Sequence, residues 1–342
     1  MDISTMSNIT ETSTVTTENN VTMVKDIIKL HALSLWLQMT SDLVIIMFIV
    51  ISNGLVLWTV YKVSSLHTIT SIFIVNLSAV DLISGVVAVP INCVTNYIIP
   101  LTTGTYTDNK YLCILKTFLL LLCIGLSIYG LVAICIERYI AVIHPLRYYT
   151  LMTAKRSIVL LACIWSYCFI ACGLMFFDGF NTYQVGLQCS THNTLNPTYF
   201  MFLKLNTLVP FLVTIVVYSR ITWVAMKHRL KIQSVLASID NARAVAYNND
   251  RYVALTMGFV QGVFLLMYTP FIILSSLPMH KYKTMSWFTT VWYVTSALLY
   301  INSGVNPWIY VIRLKRYRDA MKVALRLTSI QDTELTVSTI TT

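Results

Sequence analysis

The residues best able to do chemistry are polar groups set inside apolar runs. Asp81 stands mid-way along such a run, after Asn76-Leu77-Ser78-Ala79-Val80, with no basic residue at similar depth. Ser127 lies in the middle of a second run, and Asn302, Ser303 and Asn306 share a third. One carboxylate among neutral oxygens suits a small hard cation such as Na⁺. A hydrogen-bond knot around a protonated Asp81 would use the same atoms, and the sequence leaves both open. Glu137-Arg138-Tyr139 closes another run, setting a permanent guanidinium beside a carboxylate. Such an Arg either snorkels to the interface or forms an ionic latch, for which Asp250 is a second, competing acid. No zinc spacing, phosphate-binding loop or nucleophile triad occurs, which argues against an enzyme.

The elements that hold these groups must cross lipid. Of 342 residues, 56% are hydrophobic and 11% charged, where a soluble domain carries about 25% charged residues. Seven apolar runs are long enough to span a bilayer: Ser41–Tyr61, Ser71–Asn96, Leu112–Ile140, Ser157–Phe177, Pro197–Ala225, Tyr252–Ser276 and Trp287–Ile312. Backbone polar groups in hydrocarbon must be paired within their own segment, so each run is predicted to be a helix. The expected fold is an all-α membrane protein, a seven-transmembrane helix bundle over 41–312. A short amphipathic helix over 313–327 follows on the cytoplasmic membrane surface.

The net charge of +10 could indicate nucleic acid, but its placement argues for a membrane. Lys62, Arg138, Arg147, Arg156, Arg220, Arg229, Arg243, Arg251 and the Arg313–Arg326 cluster fall on one side, and far fewer basic residues on the other. The positive-inside rule then sets the N-terminus outside the cell and the C-terminus in the cytoplasm of a plasma-membrane protein, with lipid and not nucleic acid as its surroundings. Residues 1–40 read as an extracellular tail glycosylated at two sequons, Asn8 and Asn20, although a Thr-rich tail also produces sequons by chance. Residues 328–342 read as a disordered Ser/Thr-rich tail open to phosphorylation.

All eight cysteines lie between residues 93 and 189. Cys113 opens the third run at its outer end, and Cys189 lies in the polar stretch Asn181–Asn196. Both face an oxidising compartment, so a disulfide between them is expected, with Cys93 as a rival partner. Pro90, Pro210, Pro270 and Pro307 sit within spans and weaken their hydrogen-bond ladders.

In order, these marks resemble the rhodopsin-like G-protein-coupled receptors over nearly the whole chain. Asn53 is similar to the family's helix-one Asn and Asp81 to its helix-two Asp. Glu137-Arg138-Tyr139 with Ile140-Ala141-Val142-Ile143-His144-Pro145-Leu146-Arg147-Tyr148 is similar to its G-protein-facing signature. Trp165, Pro210, Tyr218, Phe264, Pro270 and Asn306-Pro307-Trp308-Ile309-Tyr310 complete the set, and Cys113 and Cys189 match its outer disulfide. The resemblance implies an inner switch of Arg138, Tyr218 and Tyr310, a packing relay of Ile128, Pro210 and Phe264, and a sodium pocket of Asp81, Ser127, Asn302, Ser303 and Asn306, with Na⁺ as its ion and no other cofactor. It implies a heterotrimeric G protein as partner, and arrestin for a phosphorylated tail.

Departures narrow the ligand. Tyr300 replaces the Lys that opsins need, and Leu120 replaces the Asp of amine receptors, leaving a small amine without its usual counter-charge. Tyr268 stands where the family usually has a Trp toggle. The short inner loop Met226–Asp250 resembles that of peptide and chemokine receptors, and the whole string resembles the chemokine-receptor homologues of human roseoloviruses. Yet the N-terminal tail has no Cys or Tyr, and Ser296 replaces the usual helix-seven Glu of that group. The ligand pocket is expected near Tyr97, Lys116, Lys204, Phe271, Trp292 and Ser296, for a chemokine or other peptide. A non-signalling chemokine scavenger and a constitutively active orphan receptor are the alternatives.

Overall fold

A computed structural model of the protein describes residues 3–183, 188–236, 241–277 and 285–326, with side chains described for most of 32–224 and 252–326. The helices are α1 (Ile3–Lys62), α2 (Ile69–Thr103), α3 (Lys110–Ile143), α4 (Ala154–Gly173), α5 (Pro197–Leu236), α6 (Asn241–Ser276), α7 (Ser286–Arg313) and α8 (Lys315–Ala324). Six of them contain stretches long and apolar enough to cross a membrane. The seventh span, α7, is diluted by Ser296, Asn302, Ser303 and Asn306, and packs against both α1 and α6 to close the bundle.

Local chemistry sets the ends. The Thr68 hydroxyl, the Asn109 amide oxygen and the Thr153 hydroxyl accept from the backbone N–H groups of Ser71, Leu112 and Arg156 at 3.3, 3.0 and 3.3 Å, capping α2, α3 and α4. Gly104, at φ 75°, ends α2 in the left-handed conformation that glycine adopts most readily. Two π-turns, Ser84–Ala88 and Val94–Ile98, interrupt α2 ahead of Pro90 and Pro100. Each proline lacks an N–H for the ladder, and the extra residue per turn relieves its ring. At the first π-turn α1 comes close: a Cβ on Gly85 would lie 2.8 Å from Ile49 Cγ2.

Several boundaries differ from those expected. The helix containing the first span begins at Ile3, although its apolar stretch starts only at Ala32. The side chains of Asn8, Asn20 and Asp250, and all of 327–342, lie outside the described residues. Helix α5 runs to Leu236 and α6 starts at Asn241, so most of the expected inner loop is helical. Met226-Lys227-His228-Arg229-Leu230-Lys231 is rich in good helix formers and continues the ladder past the membrane. Arg313 ends α7, Leu314 is extended, and the amphipathic helix begins at Lys315.

The buried core is continuous at the inner half, where Leu77, Ile134, Tyr218, Phe264 and Tyr310 pack together. The outer half divides into an α3–α4–α5 cluster around Met175 and an α1–α2–α7 cluster around Ile49. Many large apolar side chains point outward, among them Val44, Met47, Ile170, Val216, Leu266 and Ile273. Only 17% of the apolar stretch of α5 is buried. Such a surface would aggregate in water and is satisfied by lipid tails.

Candidate functional site

At the outer end, Cys113 and Cys189 form a disulfide with Cα atoms 5.3 Å apart. The bond ties the α4–α5 loop to the top of α3. Cys93, the rival partner, is a buried free thiol facing α1. The same loop is braced by backbone bonds from Thr182 N to Thr194 O and from Asn196 N to Phe180 O, each 3.0 Å. The Tyr183 hydroxyl donates to Thr107 O at 2.8 Å.

Beneath this roof lies a cavity of about 160 Å³. Tyr97, Lys116, Phe271, Trp292 and Ser296, all expected at a pocket, line it together with Leu120, Tyr293 and Tyr300. Lys116 is buried, and its Nζ donates to Cys189 O at 2.5 Å, so the disulfide strand and the α3 cation hold each other. Lys204 is not part of the lining. Its ammonium donates to Ser275 O and sits 4.4 Å over the Phe200 ring, which locks α5 to α6 instead.

The sequence reading missed Asp42. This residue is 1% exposed and lines the cavity from α1, as Lys116 does from α3. Its signal was available, since an acid inside the first apolar run is an intramembrane charge like Asp81. The usual counter-charge of amine receptors is absent from α3, where Leu120 lines the cavity, while α1 contributes the Asp42 carboxylate to the same lining. His192, also missed, packs in the roof with its ring 4.8 Å from Phe200 and 6.2 Å from Trp292. Burial, and secondarily the Lys204 charge, push its pKa down to about 4.

From the cavity an aromatic chain descends through the bundle. Trp292 and Phe271 are 5.5 Å apart, Phe271 and Tyr268 6.3 Å, and Tyr268 stacks on Phe264 at 5.4 Å and 22°. Phe211 of α5 joins at 6.2 Å from Tyr268. Because Pro210 and Pro270 lie within α5 and α6 beside these rings, the stack crosses the two places where the ladders are weakest.

At mid-depth, Asn306 Nδ2 donates to Asp81 Oδ2 at 3.2 Å, and Ser303 also bonds to this carboxylate. Ser127, Asn302 and Ser303 line a neighbouring void of about 30 Å³, and the buried Asn302 Oδ1 has no hydrogen-bond partner. Asn53 Nδ2 donates to Ser303 O at 2.8 Å, tying α1 to α7. Asn76 is engaged by Trp165, whose indole N–H donates to its Oδ1 at 2.8 Å.

At the inner end Arg138 is 3% exposed and Glu137 0%. Two guanidinium N–H groups donate to the Glu137 carboxylate, and a third contact runs to Thr70 Oγ1 on α2 at 2.7 Å. The Tyr148 hydroxyl donates to Glu137 Oε1 at 2.6 Å and Thr70 Oγ1 donates to it at 3.1 Å. Burial, reinforced by the Glu137 charge, raises the Tyr148 phenol above its ordinary value and keeps it a donor. Thr70 had no signal in the sequence, and Tyr148 figured only as the end of the G-protein-facing signature, because the α2 start and the inner loop meet α3 only in the folded bundle. Tyr139 packs at the edge of the inner core, its ring 6.4 Å from His144. Tyr218 and Tyr310 are buried nearby, the Tyr310 hydroxyl without a hydrogen-bond partner. Pro307 sits one turn before Tyr310 within α7. Helix α8 is pinned through Tyr317, whose hydroxyl meets Ser71 Oγ at 2.8 Å. An inner cavity of about 440 Å³ lies between Arg138, Tyr148, Tyr252, Val253 and α8.

The sequence profile described as 7 transmembrane receptor (rhodopsin family) matches residues 52–310. The adenosine receptor A2a of Canis lupus familiaris is 28% identical over 315 residues, covering 85% of this chain and 72% of that protein. The human adenosine receptor A2a is 28% identical, with 84% and 71% covered. The alpha-1A adrenergic receptor of Bos taurus is 28% identical, with 83% and 66% covered. With seven spans, the tied outer loop and the matched stretch running from α1 to α7, the chain belongs to the rhodopsin family of seven-transmembrane receptors: a multi-pass G-protein-coupled receptor and not an enzyme.

Proposed function

We propose that the chain carries an extracellular ligand's signal from the roofed outer cavity to a heterotrimeric G protein at the inner cavity beside Arg138. The observation that carries this is the continuous aromatic stack from Trp292 to Phe264, which starts on the outer cavity wall and ends in the inner core. A ligand that moves Trp292 or Phe271 changes the packing across Pro210 and Pro270, and packed cores respond by switching between discrete arrangements. The orientation follows the charge bias, with the N-terminus outside a plasma membrane, and phosphorylation of the 328–342 tail would recruit arrestin.

For the ligand, a chemokine or related peptide is the first reading, supported by the likeness to roseolovirus chemokine-receptor homologues; in that setting the G protein is the host's. A small molecule is the second, favoured by the names of the adenosine and adrenergic relatives and by a cavity of about 160 Å³. In both, only a compact polar group enters beneath Cys189. The oxygens of Asp81, Ser127, Asn302 and Ser303 fit Na⁺, because the orphaned Asn302 Oδ1 and the adjoining void offer a hard acceptor and room beside a carboxylate. Bound there, the ion would neutralise Asp81 and brace α2 against α3 and α7.

The test is a panel of chemokines, adenosine and catecholamines on cells expressing the receptor, reading binding and calcium together, in wild type and Arg138→Ala. Expected is a response in wild type, lost in the variant with binding retained. Binding without response in wild type would select a scavenger and overturn the signalling reading. Na⁺ should lower agonist affinity in wild type and lose that effect in Asp81→Asn.

A further inference from the structure

Asp42 is built like half of an ion pair. It is 1% exposed at lipid depth on α1, and the groups that reach it are neutral: the Asn92 amide at 3.5 Å, the Cys93 thiol at 3.8 Å and the Tyr97 hydroxyl. The first two contacts are at the outer limit of useful hydrogen bonds. Among the described residues, the ion pairs within 4 Å are Lys110 with Asp178 and Arg138 with Glu137, neither involving Asp42. A carboxylate held in a dry bundle is costly unless a cation compensates it. Space for that cation exists, because Asp42 lines the outer cavity.

The one basic side chain of that lining is Lys116, and its ammonium is committed to Cys189 O at 2.5 Å. It retains further N–H groups, which can be offered to an acceptor within the cavity. The cavity therefore carries an acid from α1 and a hydrogen-bond donor from α3, and the Trp292 and Tyr300 rings share its lining.

Building on the reading of this cavity as the ligand site, we infer that Asp42 is the anchor for a primary ammonium group of the ligand, with Lys116 receiving a carbonyl oxygen of the same ligand. An ammonium adjacent to a carbonyl is the N-terminus of a peptide. A lone amine would satisfy Asp42 only.

The test uses purified full-length receptor in lipid nanodiscs and the melting temperature as the binding readout. Phenylalaninamide, its N-acetyl derivative and phenethylamine are the probes. Phenylalaninamide should stabilise wild type saturably, and the N-acetyl derivative should not. Asp42→Asn should weaken phenylalaninamide by about tenfold or more, the loss of one charge-assisted hydrogen bond, and Asp42→Glu should recover part of it. Lys116→Gln should weaken phenylalaninamide but leave phenethylamine unchanged. Should Asp42→Asn not fold, the acetylated probe and Asp42→Glu still decide. Equal stabilisation by the acetylated probe, or none by phenylalaninamide in wild type, overturns the anchor. If phenethylamine binds as well as phenylalaninamide, the carbonyl half is overturned and the source is a simple amine. The readout is binding alone. A receptor that fails to signal can thus still show the anchor, and a signalling receptor can refute it.

Discussion

Replacing Glu137 by Gln should raise ligand-independent activity, and its size follows from the geometry. Glu137 Oε1 accepts from Arg138, Thr70 and Tyr148, while Oε2 accepts from Arg138 Nε. In Glu137→Gln the amide oxygen takes the more heavily used Oε1 position, which places the amide NH₂ against Arg138 Nε, donor facing donor. One charge-assisted bond is lost and the other, now to a neutral acceptor, is weakened. A buried hydrogen bond to a charged group contributes about 1.5–3 kcal/mol. At about 2 kcal/mol the resting arrangement loses about thirtyfold of its advantage, using about 1.36 kcal/mol per decade. A receptor resting at about 100 to 1 would then hold about a quarter of its molecules with Arg138 released. The assay is ligand-free guanine-nucleotide exchange on a reconstituted G protein, normalised to receptor amount. A several-fold rise is expected, abolished by adding Arg138→Ala. Basal exchange equal to wild type, in a variant that folds and reaches the surface, would refute the reasoning that this pair restrains the inner end.

Other outcomes follow from the same geometry. The Cys113–Cys189 bond joins residues 76 apart, so Cys113→Ala should lower the melting temperature. The loss should fall short of the roughly 4–5 kcal/mol of a free chain, since the bilayer already restrains both ends, and ligand binding should go with it. His192 has a folded pKa of about 4 against an ordinary 6.5, so the unfolded state binds its proton first on acidification. Its contribution is whole above about pH 6.5 and falls as pH drops toward 4, and the melting temperature of His192→Phe should show a shallower decline over that window than wild type. Gly85→Ala should push against Ile49 where α1 meets the first π-turn and destabilise by about 1–3 kcal/mol, read by thermal melting.

Much of the architecture was legible along the chain because lipid makes local demands. A helix in hydrocarbon satisfies its backbone within itself, so the long apolar runs of the sequence coincide with helices of the bundle. The differences fell where that demand ends: helix formers carried α5 to Leu236 beyond the membrane, and the last helix begins at Lys315 where 313 was expected. Asp81, Arg138 and the Cys113–Cys189 pair were visible because a polar group in an apolar run, or a cysteine at the end of a run and another in a polar stretch, stand out without a partner being named.

What the sequence determined by itself, then, was which segments cross the membrane and which polar residues they carry. Which of those residues meet was decided only by packing between helices far apart in the chain. Tertiary structure sent Lys204 to Ser275 and Phe200 rather than into the cavity, and brought Thr70 and Tyr148 onto Glu137. It also turned Asp42 from the start of an apolar run into an acid lining the same cavity as Lys116. The physical reason is that hydrophobicity acts on each segment independently, whereas a buried charge finds its partner through the rotation of one helix against another, which no single segment encodes.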